Sequence, residues 1–145
     1  MIYDLKFDRE KKRRVKGYLK DKKFVNLSKK FNIKATINNY AYNFNWLGVP
    51  IIQFPQDLVV MQELIFDIKP DLIIETGIAR GGSLVFYASL LKLINPKAKV
   101  LGIDIDIRPH TKKVFKKHSL RKRILSIKGS SVSKNTIEKT KKITK

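Results

Sequence analysis

Phe54 to Ser83 reads FPQDLVVMQELIFDIKPDLIIETGIARGGS, and this stretch decides the fold. Leu58, Met61, Leu64, Ile65 and Ile68 share one face of a helix predicted over Gln56–Ile68, with Gln62, Glu63 and Asp67 off it. Asp57 falls in that helix's first turn, where a carboxylate favours the helix dipole. Lys69-Pro70 stops the helix. Asp71–Thr76 then carries the unbroken apolar run Leu72-Ile73-Ile74, the mark of a strand covered on both faces. Glu75-Thr76-Gly77-Ile78-Ala79-Arg80-Gly81-Gly82-Ser83 follows. Such a loop turns sharply, admits a ligand to its backbone and presents N–H groups at a helix start. In an α/β sheet, nucleotide-like ligands bind at this end of the first strand.

Downstream, the apolar segment Ser83–Ile94 predicts a buried helix ended by Asn95-Pro96. Lys99–Asp106 predicts the next strand, which makes a parallel strand-helix-strand unit. Asp104 lies at the distance past the glycine loop at which an acidic side chain meets ribose hydroxyls. Asp106 is the second choice, on the same face if the strand persists. A basic helix from Arg108-Pro109 to about His118, a strand over Ile124–Ile127, Gly129-Ser130-Ser131 and a helix capped by Ser133 complete the reading. Three parallel strands amount to half of a doubly wound domain. The expectation is therefore a fragment, a sheet completed by association (a homo-oligomer), or a naturally shortened copy.

Upstream, residues 1–31 are charged and helical in pattern, with a thin apolar stripe of Val15, Tyr18, Leu19, Phe24, Leu27 and Phe31 and a basic run Lys11–Arg14. Ile33–Ile52 is rich in aromatic and amide side chains and shows neither helical nor strand period. It reads either as a cover for the core edge or as a pocket wall.

The chain of 145 residues suffices for one domain with a core. It has no cysteine, which excludes disulfides, thiolate metal sites and a cysteine nucleophile. No apolar run matches a membrane span and no signal-peptide core is present, so a cytoplasmic protein is expected. The net charge of +20 suggests nucleic acid or an anionic surface. However, lysine far outnumbers arginine, the better base reader, and the favoured reading is lysines on solvated faces. Nucleic acid is thus not the expected partner. His110 and His118 read as surface residues rather than ligands.

The loop lacks the Gly-Lys-Ser/Thr of a P-loop and departs from G-x-G-x-x-G, with Gly77 and Ala79 where two glycines would stand. Glu75 beside it is unhelpful to a pyrophosphate but suits a cation, which favours S-adenosylmethionine over NAD. On YAYNFNWLGVPIIQFPQDLVVMQELIFDIKPDLIIETGIARGGSLVFYASLL, with GIDIDIRPH and IKGSS after it, the chain resembles the cephalosporin hydroxylase and rhamnosyl O-methyltransferase family over about residues 38–133.

That resemblance implies a Rossmann-like α/β methyltransferase fold with a parallel sheet flanked by helices. Residues 1–37 would be a basic helical extension and residues 38–145 an S-adenosylmethionine-binding domain lacking its C-terminal half. It implies a cofactor loop of Glu75, Gly77, Ala79, Gly81, Gly82 and Ser83, a ribose-binding Asp104, and Ser130 and Ser131 beside the adenine. It implies O-methylation of a hydroxyl on a sugar, glycolipid or small metabolite, as in lipid or polysaccharide tailoring. Mg2+ would be held, if at all, by ligands after a fourth strand outside this chain. No catalytic base and no metal ligand is assigned. The alternatives are a basic nucleic-acid-binding protein and an inactive remnant of the methyltransferase fold.

Overall fold

The computed structural model describes residues 4–144. The chain divides into two compact units, residues 1–40 and residues 41–145.

The first unit is helical. Asp4 caps α1 (Leu5–Tyr18), its carboxylate accepting from the N–H groups of Lys6 and Phe7. Asp21 caps α2 (Lys22–Ile37) by accepting from Phe24 N–H at 3.0 Å. Tyr18 and Phe24 meet with ring centroids 5.4 Å apart. Ala35 is buried, whereas the expected stripe residues Phe24, Leu27 and Phe31 are exposed. The second helix also runs six residues past Phe31, into the segment that shows no helical period.

The second unit opens with a hairpin that the sequence did not announce. β1 (Phe44–Trp46) pairs antiparallel with β2 (Val49–Ile51), Asn45 opposite Pro50. The two-residue link Leu47-Gly48 has φ of 46° and 81°, the handedness that matches strand twist. Trp46 stacks edge-on against Phe86 at 4.8 Å and donates its indole N–H to Ser89 Oγ at 3.0 Å.

Helices and parallel strands then alternate. α3 (Pro55–Ile68) begins at a proline and ends with Lys69 in the left-handed region, φ 51°. β3 (Leu72–Thr76), β4 (Lys99–Asp104) and β5 (Ile124–Lys128) form one parallel sheet in that spatial order. Glu75 stands opposite Gly102, and Gly102 opposite Ser126. α4 (Gly82–Ile94) links β3 to β4, and α5 (Pro109–Lys117) links β4 to β5. α6 (Lys134–Ile143) follows β5, capped by Ser133, whose hydroxyl accepts from Thr136 N–H at 3.3 Å. This is the expected α/β architecture of a parallel sheet flanked by helices.

The core is built around α4. Leu84, Val85, Ala88 and Leu91 are fully buried and cluster with Val49, Ile51, Ile65, Val100 and Ile124. Leu101, Ile103 and Ile127 form a second cluster with Leu72 and Leu125. Alternation along β4 therefore feeds two cores, as a strand packed on both faces must. No helix among the described residues is long and apolar enough to cross a membrane.

Candidate functional site

β3 ends at Thr76, but Gly77 N–H still donates to Ile103 O at 2.8 Å, so the chain leaves the sheet only after Gly77. The loop then folds tightly, with Gly81 N–H donating to Ile78 O at 2.7 Å. Gly77 (φ 81°), Ala79 (φ 39°) and Gly81 (φ 85°) are all left-handed. Ala79 bears a Cβ in that region and is held there from outside. Its carbonyl accepts from the fully buried Thr111 Oγ1 of α5 at 2.8 Å.

Gly81 occupies the N-cap of α4 without a side chain to cap it, which leaves the first-turn N–H groups for a ligand or water. Gly82 sits against the hairpin, where a Cβ would lie 2.7 Å from Ile51 Cα and closer still to Pro50 O. Only a residue lacking Cβ lets the helix start there.

Asp104 closes β4. One carboxylate oxygen accepts from Ile78 N–H at 2.8 Å and the other from Asp106 N–H at 2.9 Å. Partial desolvation pushes this carboxyl up. Backbone N–H groups of Asp106, Ile78, Ala79 and Ile105 outweigh that and hold it below its ordinary range. Asp104 is thus a fixed anion that braces the loop while lone pairs remain for another donor. Its own carbonyl accepts from Gly129 N–H at 2.8 Å, which draws Ser130 and Ser131 to the same sheet end.

Asp106 does not share this position. The strand stops at Asp104, and Asp106 is exposed, 3.9 Å from Arg108 Nε. Once its N–H turns back to cap Asp104, the two-residue alternation that would align the carboxylates is lost.

Glu75 sits one residue before the end of β3, and Ser83 Oγ donates to it at 2.7 Å. Desolvation raises its pKa to about 7, against the lowering effect of Ser83. Tyr87 is raised to about 12, by burial first and then by the negative charge of Glu75.

Besides an open cleft of about 370 Å³ that includes Tyr42, Ile52, Arg80, Asp104, Asp106 and Arg108, two cavities flank Gly77. The larger, about 280 Å³, is lined by Thr76, Gly77, Asp104, Ile105, Ser130 and Ser131, among others. The smaller, about 70 Å³, includes Pro50, Gln53, Glu75, Gly77, Arg80 and Ser83, and Ala79, Gly81 and Gly82 also line it. Gly77 borders both. All nine residues expected at the site line one or the other. Pro50 and Ile52, from the segment read as a core cover or a pocket wall, line the smaller cavity, and the sequence reading missed Gln53 beside them. The cue was Leu47-Gly48, which returns the chain onto α4.

Among the described residues no group of three or more His, Asp or Glu could hold a metal ion. His118 instead accepts from Leu120 N–H through Nδ1 at 3.2 Å, with Nε2 3.3 Å from Leu47 O. His110 is exposed.

A parallel sheet, a glycine loop opening a helix, and an acidic residue closing the adjacent strand define an α/β fold of the nucleotide-binding type. Within that class, the chain belongs to the Rhamnosyl O-methyltransferase/CmcI family, whose model matches residues 38–145. It is 34% identical over 68 residues to a rhamnosyl O-methyltransferase of Mycobacterium leprae (strain TN), a match covering 46% of this chain and 30% of that protein. It is 32% identical over 59 residues to one of Mycobacterium bovis (strain BCG / Pasteur 1173P2), covering 41% and 24%. The matched stretch is less than a third of either curated relative. Among solved structures, the Mg-SAM form of CmcI matches at 25% identity and TM-score 0.55, over 67% of this chain and 40% of that one. The SAH form matches at 24% identity and TM-score 0.52, over 63% and 45%, and supports the fold alone.

Proposed function

We propose that residues 38–145 form an S-adenosylmethionine-binding domain and that the protein methylates a hydroxyl oxygen of a sugar, glycolipid or small metabolite. The observation that carries this reading is the pair of carboxylates, Asp104 in one cavity and Glu75 in the other, on either side of Gly77. The family, the rhamnosyl O-methyltransferases and the Mg-SAM form of CmcI support it.

Asp104 would accept from the ribose hydroxyls, its orientation already set by Ile78 and Asp106. Ser130 and Ser131 would flank the adenine. Glu75 would face the ammonium or sulfonium, and the open first turn of α4 would receive the carboxylate. Bound S-adenosylmethionine supplies an electrophilic methyl group, which passes to the acceptor oxygen as the carbon–sulfur bond breaks and the hydroxyl proton leaves. The chain's part is to hold the two reactants in line. No group among the described residues fits a metal ion, so no step here runs through one.

Calorimetric titration of S-adenosylmethionine into the chain tests this, with Asp104→Ala and Gly81→Val as controls and circular dichroism to verify folding. Saturable binding lost in a folded Asp104→Ala variant is the expected result. Absence of binding by the folded parent chain would overturn it and favour an inactive remnant.

A further inference from the structure

Charge is concentrated in the first unit. Residues 1–40 hold thirteen Lys and Arg against four Asp and Glu, a surplus of nine in little more than a quarter of the chain. The four acids are engaged within the unit. Asp4 and Asp21 cap helices, Asp8 lies 3.8 Å from Lys12, and Glu10 lies 3.6 Å from Arg14. Arg9, Arg13 and Lys16 recur at helical spacing on one side of α1 and, with Lys12, Gly17 and, beyond the helix end, Lys20, line a groove of about 550 Å³.

Apolar side chains, aromatic and aliphatic, accompany this charge. Phe7, Val15 and Tyr18 form a stripe on the opposite side of α1 and are all about half exposed. Leu19 is 83% exposed at its end, and Leu27, Ile33 and Ile37 are open on α2. Lys11 and Arg14 share the side of Phe7, Val15 and Tyr18, the Arg14 guanidinium 5.3 Å from the Phe7 ring centroid, and long basic side chains set among apolar ones are also found on helices at a lipid–water interface.

We infer that the N-terminal helical unit is a docking surface for an anionic phospholipid membrane. Charge complementarity selects the occupant. A second copy would set a surplus of nine positive charges against another nine. Nucleic acid would satisfy the cations and could stack bases on Phe7, Tyr18, Phe24 and Phe31, but it would leave the aliphatic Leu19, Leu27, Ile33 and Ile37 without partners. An anionic bilayer satisfies both, with phosphates over the lysines and arginines and acyl chains around the aliphatic side chains. This inference does not depend on methyl transfer.

The test is co-sedimentation of the full chain with phosphatidylcholine vesicles, with and without phosphatidylglycerol. Binding is expected only with phosphatidylglycerol. Arg13→Gln with Lys16→Gln should weaken it roughly twentyfold, at about fivefold per cation removed. Leu19→Gln should weaken it severalfold while leaving all charges in place. These positions are exposed, and helicity is verified by circular dichroism. No binding to phosphatidylglycerol vesicles would overturn the proposal. So would binding that Leu19→Gln leaves unchanged and duplex DNA competes away, which would make this a nucleic-acid surface.

Discussion

Ser83 Oγ lies 2.7 Å from Glu75 Oε2 and donates to it, joining the first turn of α4 to the end of β3. This bond gives the half-buried carboxyl a polar partner at the small cavity that Glu75 lines.

Cofactor affinity should depend on pH through Glu75. Its carboxyl titrates near 7 in the free protein, raised by desolvation. A cationic ligand prefers the carboxylate, so below that value binding must first displace a proton. Affinity for S-adenosylmethionine should fall about tenfold per pH unit well below 7 and level off above 8. The Glu75→Gln variant should bind weakly with a flat profile. Titration calorimetry between pH 5.5 and 8.5 separates the two curves.

The same shift predicts a stability profile. The folded pKa of Glu75, about 7, lies above its ordinary value of 4.5. The folded state therefore holds the proton more tightly, and this contribution is fully present below pH 4.5. It fades as pH rises through 7, by about 3 kcal/mol at most. Urea unfolding of Glu75→Gln against the parent chain should show the variant relatively more stable at pH 8 than at pH 4.

Gly82→Ala should be strongly destabilising, because its Cβ would run into Ile51 Cα and the Pro50 carbonyl, both backbone. A loss of about 2 kcal/mol or more is expected. Gly17→Ala is the contrast. Gly17 lies inside α1 with nothing within 4 Å of its added Cβ, and the change should stabilise helix by about 0.5–1 kcal/mol. Thermal melts followed at 222 nm for the second and by near-ultraviolet signals for the first distinguish the two.

Trp46 is the chain's one tryptophan, so its fluorescence reports the hairpin alone. Trp46→Phe removes the bond to Ser89 Oγ and should cost about 1 kcal/mol. Trp46→Ala also removes the contact with Phe86 and should cost about 3–5 kcal/mol. Urea titrations of the two variants check the ratio.

The parallel sheet and its helices were legible in the sequence because runs such as Leu72-Ile73-Ile74 and the face of α3 carry a clear period over enough residues. The hairpin was not, since three-residue strands are too short to show alternation and Pro50 argues against a strand. The Gly77–Ser83 loop and Asp104 stood out because turn chemistry and spacing are local. Gln53 did not, because it reaches the small cavity only through tertiary packing of the hairpin on α4. The end of β4 was placed too late because strand alternation was extended two residues past the point where Asp104 turns the backbone, although Asp106 still borders one cleft with Asp104.

Three separate elements grip the Gly77–Ser83 loop. Asp104 holds Ile78 N–H, Thr111 holds the Ala79 carbonyl, and the hairpin backbone abuts Gly82. The consequence is kinetic. A ligand arriving at this end of the sheet meets a loop already ordered, so capture should follow a single exponential whose rate rises linearly with ligand concentration and shows no plateau from a prior opening step. Loosening any one grip, as in Thr111→Val, should then show first in the rate of escape rather than of entry.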